Sequence, residues 1–289
     1  MHPYYAETVA KITAWATQDD NIKGALVLGS QVRQELAGNE WSDLDVLLLV
    51  AEPDLLIKTA DWLDAFGQVV CVTFEKTHLD FMNLTWDIKR ALFADHRAVD
   101  FSILPYARVD DVLFLNKDIH AHGYQVIYEA NPDELSSKIE GTLKSVEPEE
   151  FKPPTADELA QLISDLLFQI IWSFKKIKRK ELWAAVTCIN GPISHLLLQL
   201  IELHTALVTH RSTVLMYEGR FFENRAGKVI IDKLRDCFAK YDEIDAIATL
   251  GRLIDMTYFI AKEIGEINGY QLNTSQFEMI SKLYGEMKA

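Results

Sequence analysis

The sequence predicts an N-terminal half that mixes strands and helices, α/β or α+β, followed by an all-helical C-terminal half. Three observations carry this. Short apolar runs bounded by turn residues alternate with helical periodicity up to about residue 130. A polar stretch rich in Pro and Glu then runs from Asn131 to Pro154, and beyond it the apolar residues recur only at helical spacing. At 289 residues the chain exceeds a typical single domain, so two are expected, over 1–150 and 151–289.

Taken in order, Tyr5, Val9, Ile12 and Ala16 form one apolar stripe, which predicts an opening helix ending near Gln18-Asp19-Asp20-Asn21. Strands are predicted over 24–28 and 44–50, and a helix over 54–66 that Gly67 stops. Further strands follow over 69–74, over 98–104 before Pro105, and over 125–128. The stretch 131–154 reads as the crossing between domains. Thr155 then offers an N-cap, with Glu158 completing a capping box. Leu159, Leu162, Ile163, Leu166, Ile170, Phe174 and Ile177 make the strongest helical stripe in the chain. Helices are also expected at about 181–209, 225–240, 243–266 and 273–287, and there is no internal repeat.

Composition narrows the function. Hydrophobic residues make up 49% and charged residues 25%, as in a soluble globular protein. A formal net charge of -14 argues against a nucleic-acid partner, which needs clustered Lys and Arg, and suits a cationic small molecule. Cys71, Cys188 and Cys237 are odd in number and far apart, forming neither a disulfide framework nor a zinc motif, as expected in a reducing cytoplasm. The first residues lack the basic and apolar segments of a signal peptide. The apolar stretch Ile193 to Val208 is interrupted by His195, Gln199, Glu202 and His204, so it reads as an amphipathic helix rather than a membrane span.

The chemistry concentrates around two segments. Gly29-Ser30 closes one strand-like run, and Ser42-Asp43-Leu44-Asp45 opens the next. Residues i and i+2 of a strand share a side, so Asp43 and Asp45 present two carboxylates to one spot, the arrangement that chelates a divalent cation. A Gly-Ser turn opening a helix at Gln31 would aim N–H groups at a phosphate. Asp100 lies inside the otherwise apolar run Ala98 to Leu104, where an ionised carboxylate is costly unless paired or metal-bound. Arg33 follows the Gly-Ser turn, and Lys176 sits in a basic run, Lys175 to Arg179, that also suits a helix C-terminus. His120-Ala121-His122 has metal-like spacing without a third ligand and reads as a loop.

The pattern Gly29-Ser30, then Asp43-Leu44-Asp45, then Asp100 on a later strand resembles the nucleotidyltransferase superfamily related to DNA polymerase β. With a helical second half, the chain is most similar to the aminoglycoside 6-adenylyltransferases that modify streptomycin, and next to the lincosamide nucleotidyltransferases. The likeness extends over roughly residues 5 to 270, firm at Gly29-Ser30 and Ser42-Asp43-Leu44-Asp45, less close at Val99 to Pro105, and looser at Lys178 to Leu182 and Gly219-Arg220-Phe221. It implies an α+β fold: a mixed sheet flanked by helices forming the nucleotidyltransferase domain, then a helical substrate-binding bundle. It implies ATP as co-substrate and Mg2+, two ions, on Asp43, Asp45 and Asp100, with Gly29, Ser30, Arg33 and Lys176 at the phosphates. Asp165, in a polar row with Gln161, Gln169 and Trp172, would match the family's general base, where the relatives carry Glu. Glu75, Asp80, Trp86, Asp87 and Asp95 are candidates to meet a cationic antibiotic. The expected protein is cytoplasmic, a monomer or homodimer, with no nucleic acid or membrane partner. The alternatives are a lincosamide or other hydroxylated acceptor, or modification of a regulatory protein.

Overall fold

Strands whose alternate residues are apolar on both sides must be covered on both faces. The computed structural model, which describes residues 1–33, 36–80, 83–115, 123–143, 152–209 and 219–288, shows this arrangement in its first half. The chain divides into two compact units, Met1–Pro148 and Glu149–Ala289.

The first unit contains α1 (Ala6–Gln18), β1 (Ile22–Leu28), β2 (Leu44–Val50), the single turn α2 (Asp54–Ile57), β3 (Val69–Leu79), β4 (Leu84–Phe93), β5 (Ala98–Pro105), α3 (Val109–Leu115), β6 (Gln125–Glu129) and α4 (Glu134–Leu143). The strands form one mixed sheet in the order β3-β4-β5-β2-β1-β6. Among the described residues, only the central pair β2/β5 is parallel. One face carries Ala25, Val27, Val46, Leu48, Val99 and Phe101 against Ile12 and Ala16 of α1 and against Leu63 and Phe66. The other carries Leu26, Leu47, Leu49 and Leu104 against Val109, Leu113, Leu135 and Ile139 of α3 and α4. A central sheet buried on both sides holds the ends of β2 and β5 rigidly.

Several expectations need correction. The helix expected from Gln31 is absent among the described residues: Gly29–Gln31 is a single 3-10 turn, and the Gly38 amide returns to donate to the Ser30 carbonyl at 2.7 Å. The helix over 54–66 is broken into α2 and a 3-10 segment, Asp61–Ala65. The third strand runs on to Leu79, and β4 has no counterpart among the expected strands. Its core-facing positions include Asp87 and Lys89, each 4% exposed, so the hydrophobic alternation that marks a strand is missing. Burial pushes the Asp87 carboxyl up and the Lys89 ammonium down, and Lys89 donates to the Thr59 carbonyl. Part of the expected interdomain crossing is the helix α4; residues 144–151 and His120-Ala121-His122 lie outside the described residues.

The second unit is helical: α5 (Ala156–Lys178), α6 (Leu182–Cys188), α7 (Ser194–Thr209), α8 (Phe222–Arg225), α9 (Lys228–Leu234), α10 (Glu243–Asn268) and α11 (Thr274–Lys288). The capping box forms: the Glu158 amide donates to Thr155 Oγ1 (3.2 Å) and the Thr155 amide to Glu158 Oε2 (2.8 Å). Leu166, Ile170 and Phe174 of α5 are wholly buried, packed in one core with Leu200 of α7 and Leu250 and Leu253 of α10. The helix expected over 225–240 is shorter, ending at Leu234. A π turn, Ile189–Ile193, joins α6 to α7 at Pro192, which lacks the amide that a regular turn would use. By length and hydropathy Leu182–Thr209 would suffice to cross a membrane. Here Leu197, Leu200 and Ile201 are buried in the core, and His204 pairs with Glu263 at 2.7 Å.

Candidate active site

Strand register assembles the carboxylates. In the parallel pair, Asp45 stands directly beside Asp100; in the antiparallel pair, Leu28 at the end of β1 stands beside Asp45. Asp43 precedes β2 by one residue. Asp43, Asp45 and Asp100, all half-buried, each offer an oxygen, and these three atoms lie within 4.8 Å of one another. Like charges this close repel, and an all-oxygen set of this kind suits a hard divalent cation such as Mg2+.

The turn after β1 is shaped around Asp45. Gly29 has φ +67, and a Cβ there would come within 2.4 Å of Asp45 Oδ2. Ser30 is 7% exposed, and its hydroxyl, the only side-chain donor of the Gly-Ser pair, is buried without a hydrogen-bond partner. Gly38 covers it, since a Cβ on Gly38 would lie 2.8 Å from Ser30 Oγ.

Two other residues hold this geometry. The buried Tyr5 hydroxyl donates to the Ser42 carbonyl (2.7 Å) and approaches the Ala98 carbonyl (3.4 Å), tying the residue before Asp43 to the start of β5. Arg90 of β4 lies in register with Asp100, and its Nε donates to Asp100 Oδ2 at 2.9 Å. Burial raises the Asp100 carboxyl above its ordinary range, and the Arg90 hydrogen bond and charge draw it partly back.

A family model, Streptomycin adenylyltransferase, matches residues 4–286, nearly the whole chain. The chain belongs to the streptomycin adenylyltransferase family. It is therefore a nucleotidyltransferase. Among solved structures, it is similar to an aminoglycoside 6-adenyltransferase from Bacillus subtilis, at 16% identity and TM-score 0.46, over 98% of this chain and 99% of that one. A nucleotidyltransferase-like protein from Exiguobacterium sibiricum 255-15 is similar at 12% identity and TM-score 0.32, over 90% of this chain and 77% of that one. No curated protein matches.

The remaining expected residues of this adenylyltransferase family member fall in varied surroundings. Arg33 donates from Nε to the Leu36 carbonyl at 2.8 Å, within its own loop. Asp165 and Lys176 belong to the second unit, both on α5. Asp165 is exposed and accepts from Gln161 Nε2 at 3.0 Å, whereas Gln169 accepts from the Cys188 thiol and Trp172 packs against the helical core. Lys176 pairs with Glu181 at 2.5 Å and lies over the Trp172 ring, 5.0 Å from its centroid. That pairing holds the Glu181 carboxyl below its usual range.

Of the expected acceptor residues, only Glu75 is tied to the triad, through its ion pair with Arg90 (2.8 Å). Asp87 stands in register with Ile103, one step out of phase with Asp100, and so faces the opposite side of the sheet. It lines a cleft of about 550 Å³ at the far end of β2 and β5, with Asp54, Lys76 and Arg108. None of the three aspartates borders that cleft. Trp86 is on the triad's side of the sheet, packed against the Leu104 core. Asp95 pairs with Arg97 at 2.7 Å, and Asp80 is exposed beside His78.

Sequence reasoning missed Tyr5 and Arg90 as parts of this site. Tyr5 gave no signal beyond its place in an apolar stripe. Arg90 could have been suspected once Asp100 was placed in a strand, because a buried carboxylate calls for a cationic neighbour.

Proposed function

We propose that the protein transfers AMP from ATP to a hydroxyl of an aminoglycoside, of the streptomycin type, in a reaction that requires Mg2+. The observation that carries the reading is the convergence of Asp43, Asp45 and Asp100 beside the Gly29-Ser30 turn. Family membership and the net charge of -14, which favours a cationic acceptor, support it.

In this reaction the acceptor oxygen bonds to the α-phosphorus, and the bond from that phosphorus to the β-phosphate oxygen breaks, releasing pyrophosphate. Asp43, Asp45 and Asp100 would hold Mg2+, which when bound supplies Lewis-acid stabilisation of phosphate charge. The protein's own contributions are positional. Gly29 leaves room for the Asp45 carboxylate, and Tyr5 and Arg90 fix Asp43 and Asp100. The Ser30 hydroxyl, buried and unpaired, is the donor for a phosphate oxygen, with Arg33 and Lys176 assigned to phosphate charge. We assign the departing hydroxyl proton to Asp165, the carboxylate that matches the family's base. The free thiols of Cys71, Cys188 and Cys237 support a cytoplasmic setting.

The test is pyrophosphate release with Mg2+ and each nucleoside triphosphate, over streptomycin, spectinomycin, kanamycin and lincomycin. Release with ATP and streptomycin is expected; release with lincomycin alone would move the acceptor to the lincosamides. Asp45→Asn should lower turnover by about a thousandfold or more while the far-UV spectrum stays native. Wild-type rates in that variant would refute the assignment.

A further inference from the structure

Arg90 contacts two carboxylates at once. Its Nε donates to Asp100 Oδ2 at 2.9 Å, and its Nη1 lies 2.8 Å from Glu75 Oε2. The contacts follow from the sheet: Arg90 is in register with Asp100 on β5 and with Thr73 on β3, which places Glu75, two residues on, on the same face. Arg90 and Glu75 are about half exposed, whereas the Asp100 side chain is only 22% exposed. A guanidinium stays charged at any working pH and offers its donors in a fixed fork, so it can be drawn between partners but not neutralised.

We infer that Glu75, Arg90 and Asp100 form a charge ladder that regulates cation binding at the triad: Arg90 competes with the metal for Asp100, and Glu75 draws Arg90 away. This rests on the reading of the three aspartates as a metal site. Arg90 acts through Asp100 and is a positioning residue, and Glu75 acts through Arg90. Removing the Glu75 charge leaves Arg90 wholly to Asp100 and weakens cation binding. Removing the Arg90 charge relieves the competition and tightens cation binding, but Asp100 loses the donor that orients it, so turnover falls. A direct field would also give opposite signs from these two charges; the signature of the ladder is that the Glu75 effect disappears once Arg90 is neutral.

The test is Mn2+ affinity of the full chain by electron paramagnetic resonance, for wild type, Glu75→Gln, Arg90→Gln, the two combined, Arg90→Lys and Asp45→Asn. The combined variant should bind like Arg90→Gln, and additive shifts would overturn the ladder. Loss of a unit charge near a divalent cation in a partly solvated site shifts affinity by about three- to tenfold. Glu75→Gln is therefore expected to weaken Mn2+ binding by that factor, Arg90→Gln to strengthen it, and Arg90→Lys to stay near wild type. A purely structural role would lower thermal stability in both variants and leave Mn2+ affinity where it was. Should Asp45→Asn abolish Mn2+ binding while Glu75→Gln and Arg90→Gln shift it together or not at all, the ladder is overturned and the metal site stands. If Asp45→Asn binds Mn2+ like wild type, the metal site falls as well. Should Arg90→Gln fail to fold, Glu75→Gln decides alone, and unchanged or tighter binding overturns the inference.

Discussion

Asp100 illustrates how a carboxylate proposed as a metal ligand burdens the fold that carries it. It stands in a strand whose neighbours Val99 and Phe101 are fully buried, and burial raises its carboxyl above the ordinary carboxylate value. A group whose pKa is higher in the folded than in the unfolded state holds its proton better when folded. Its stabilising contribution is thus complete below the unfolded value and is lost as pH rises through the folded one. Without divalent cation, Asp100→Asn should therefore match wild type in melting temperature near pH 4. At pH 7 it should melt roughly 1–3 °C higher. Thermal scans in EDTA across that interval check this, and a variant less stable than wild type at pH 7 would show that the Arg90 ion pair outweighs burial.

At the scale of elements, the turn between β1 and the returning loop is the most demanding piece of backbone in the site. Gly29 adopts φ +67, and the space its Cβ would occupy is taken by the Asp45 carboxylate, 2.4 Å away. Gly29→Ala should cost about 1 kcal/mol or more from the left-handed conformation alone, and should push Asp45 out of the triad. A fall in Mn2+ affinity far exceeding the fall in melting temperature is the expected pair of readouts; loss of stability without loss of affinity would mean that Asp45 can be displaced harmlessly. This turn also shows where sequence reading stops. Asp43 and Asp45 are legible because a strand repeats every two residues, and Asp100 because a carboxylate stands out in an apolar run. The stripe of α5 and its capping box are equally plain, since both are local. β4 is not legible, because Asp87 and Lys89 occupy its core-facing positions. The turn at Ser30 is not either: Gly-Ser followed by Gln31-Val32-Arg33 is compatible with a helix, and what prevents it is the return of Gly38 onto Ser30. The Glu75–Arg90–Asp100 contacts depend on cross-strand register, a long-range property that no single segment encodes.

On the scale of the whole molecule, the chemistry assigned to this chain divides unevenly between its two units. All three triad aspartates, Tyr5, Arg90, Glu75 and the Gly29-Ser30 turn belong to Met1–Pro148, which has a buried layer on each face of its sheet. Asp165 and Lys176 belong to Glu149–Ala289, whose helices surround a separate core. A unit with its own core can fold alone. A chain ending at Pro148 is thus expected to unfold cooperatively and to bind Mn2+ within about a factor of three of the full chain, since no ligand is lost. The same truncated chain should release no pyrophosphate with ATP and streptomycin, because the proposed proton acceptor is gone. Mn2+ titration and the pyrophosphate assay on the two chains separate these outcomes. A truncated chain that folds but binds no Mn2+ would place an essential cation ligand in the helical unit, and one that turns over would remove Asp165 from the chemistry.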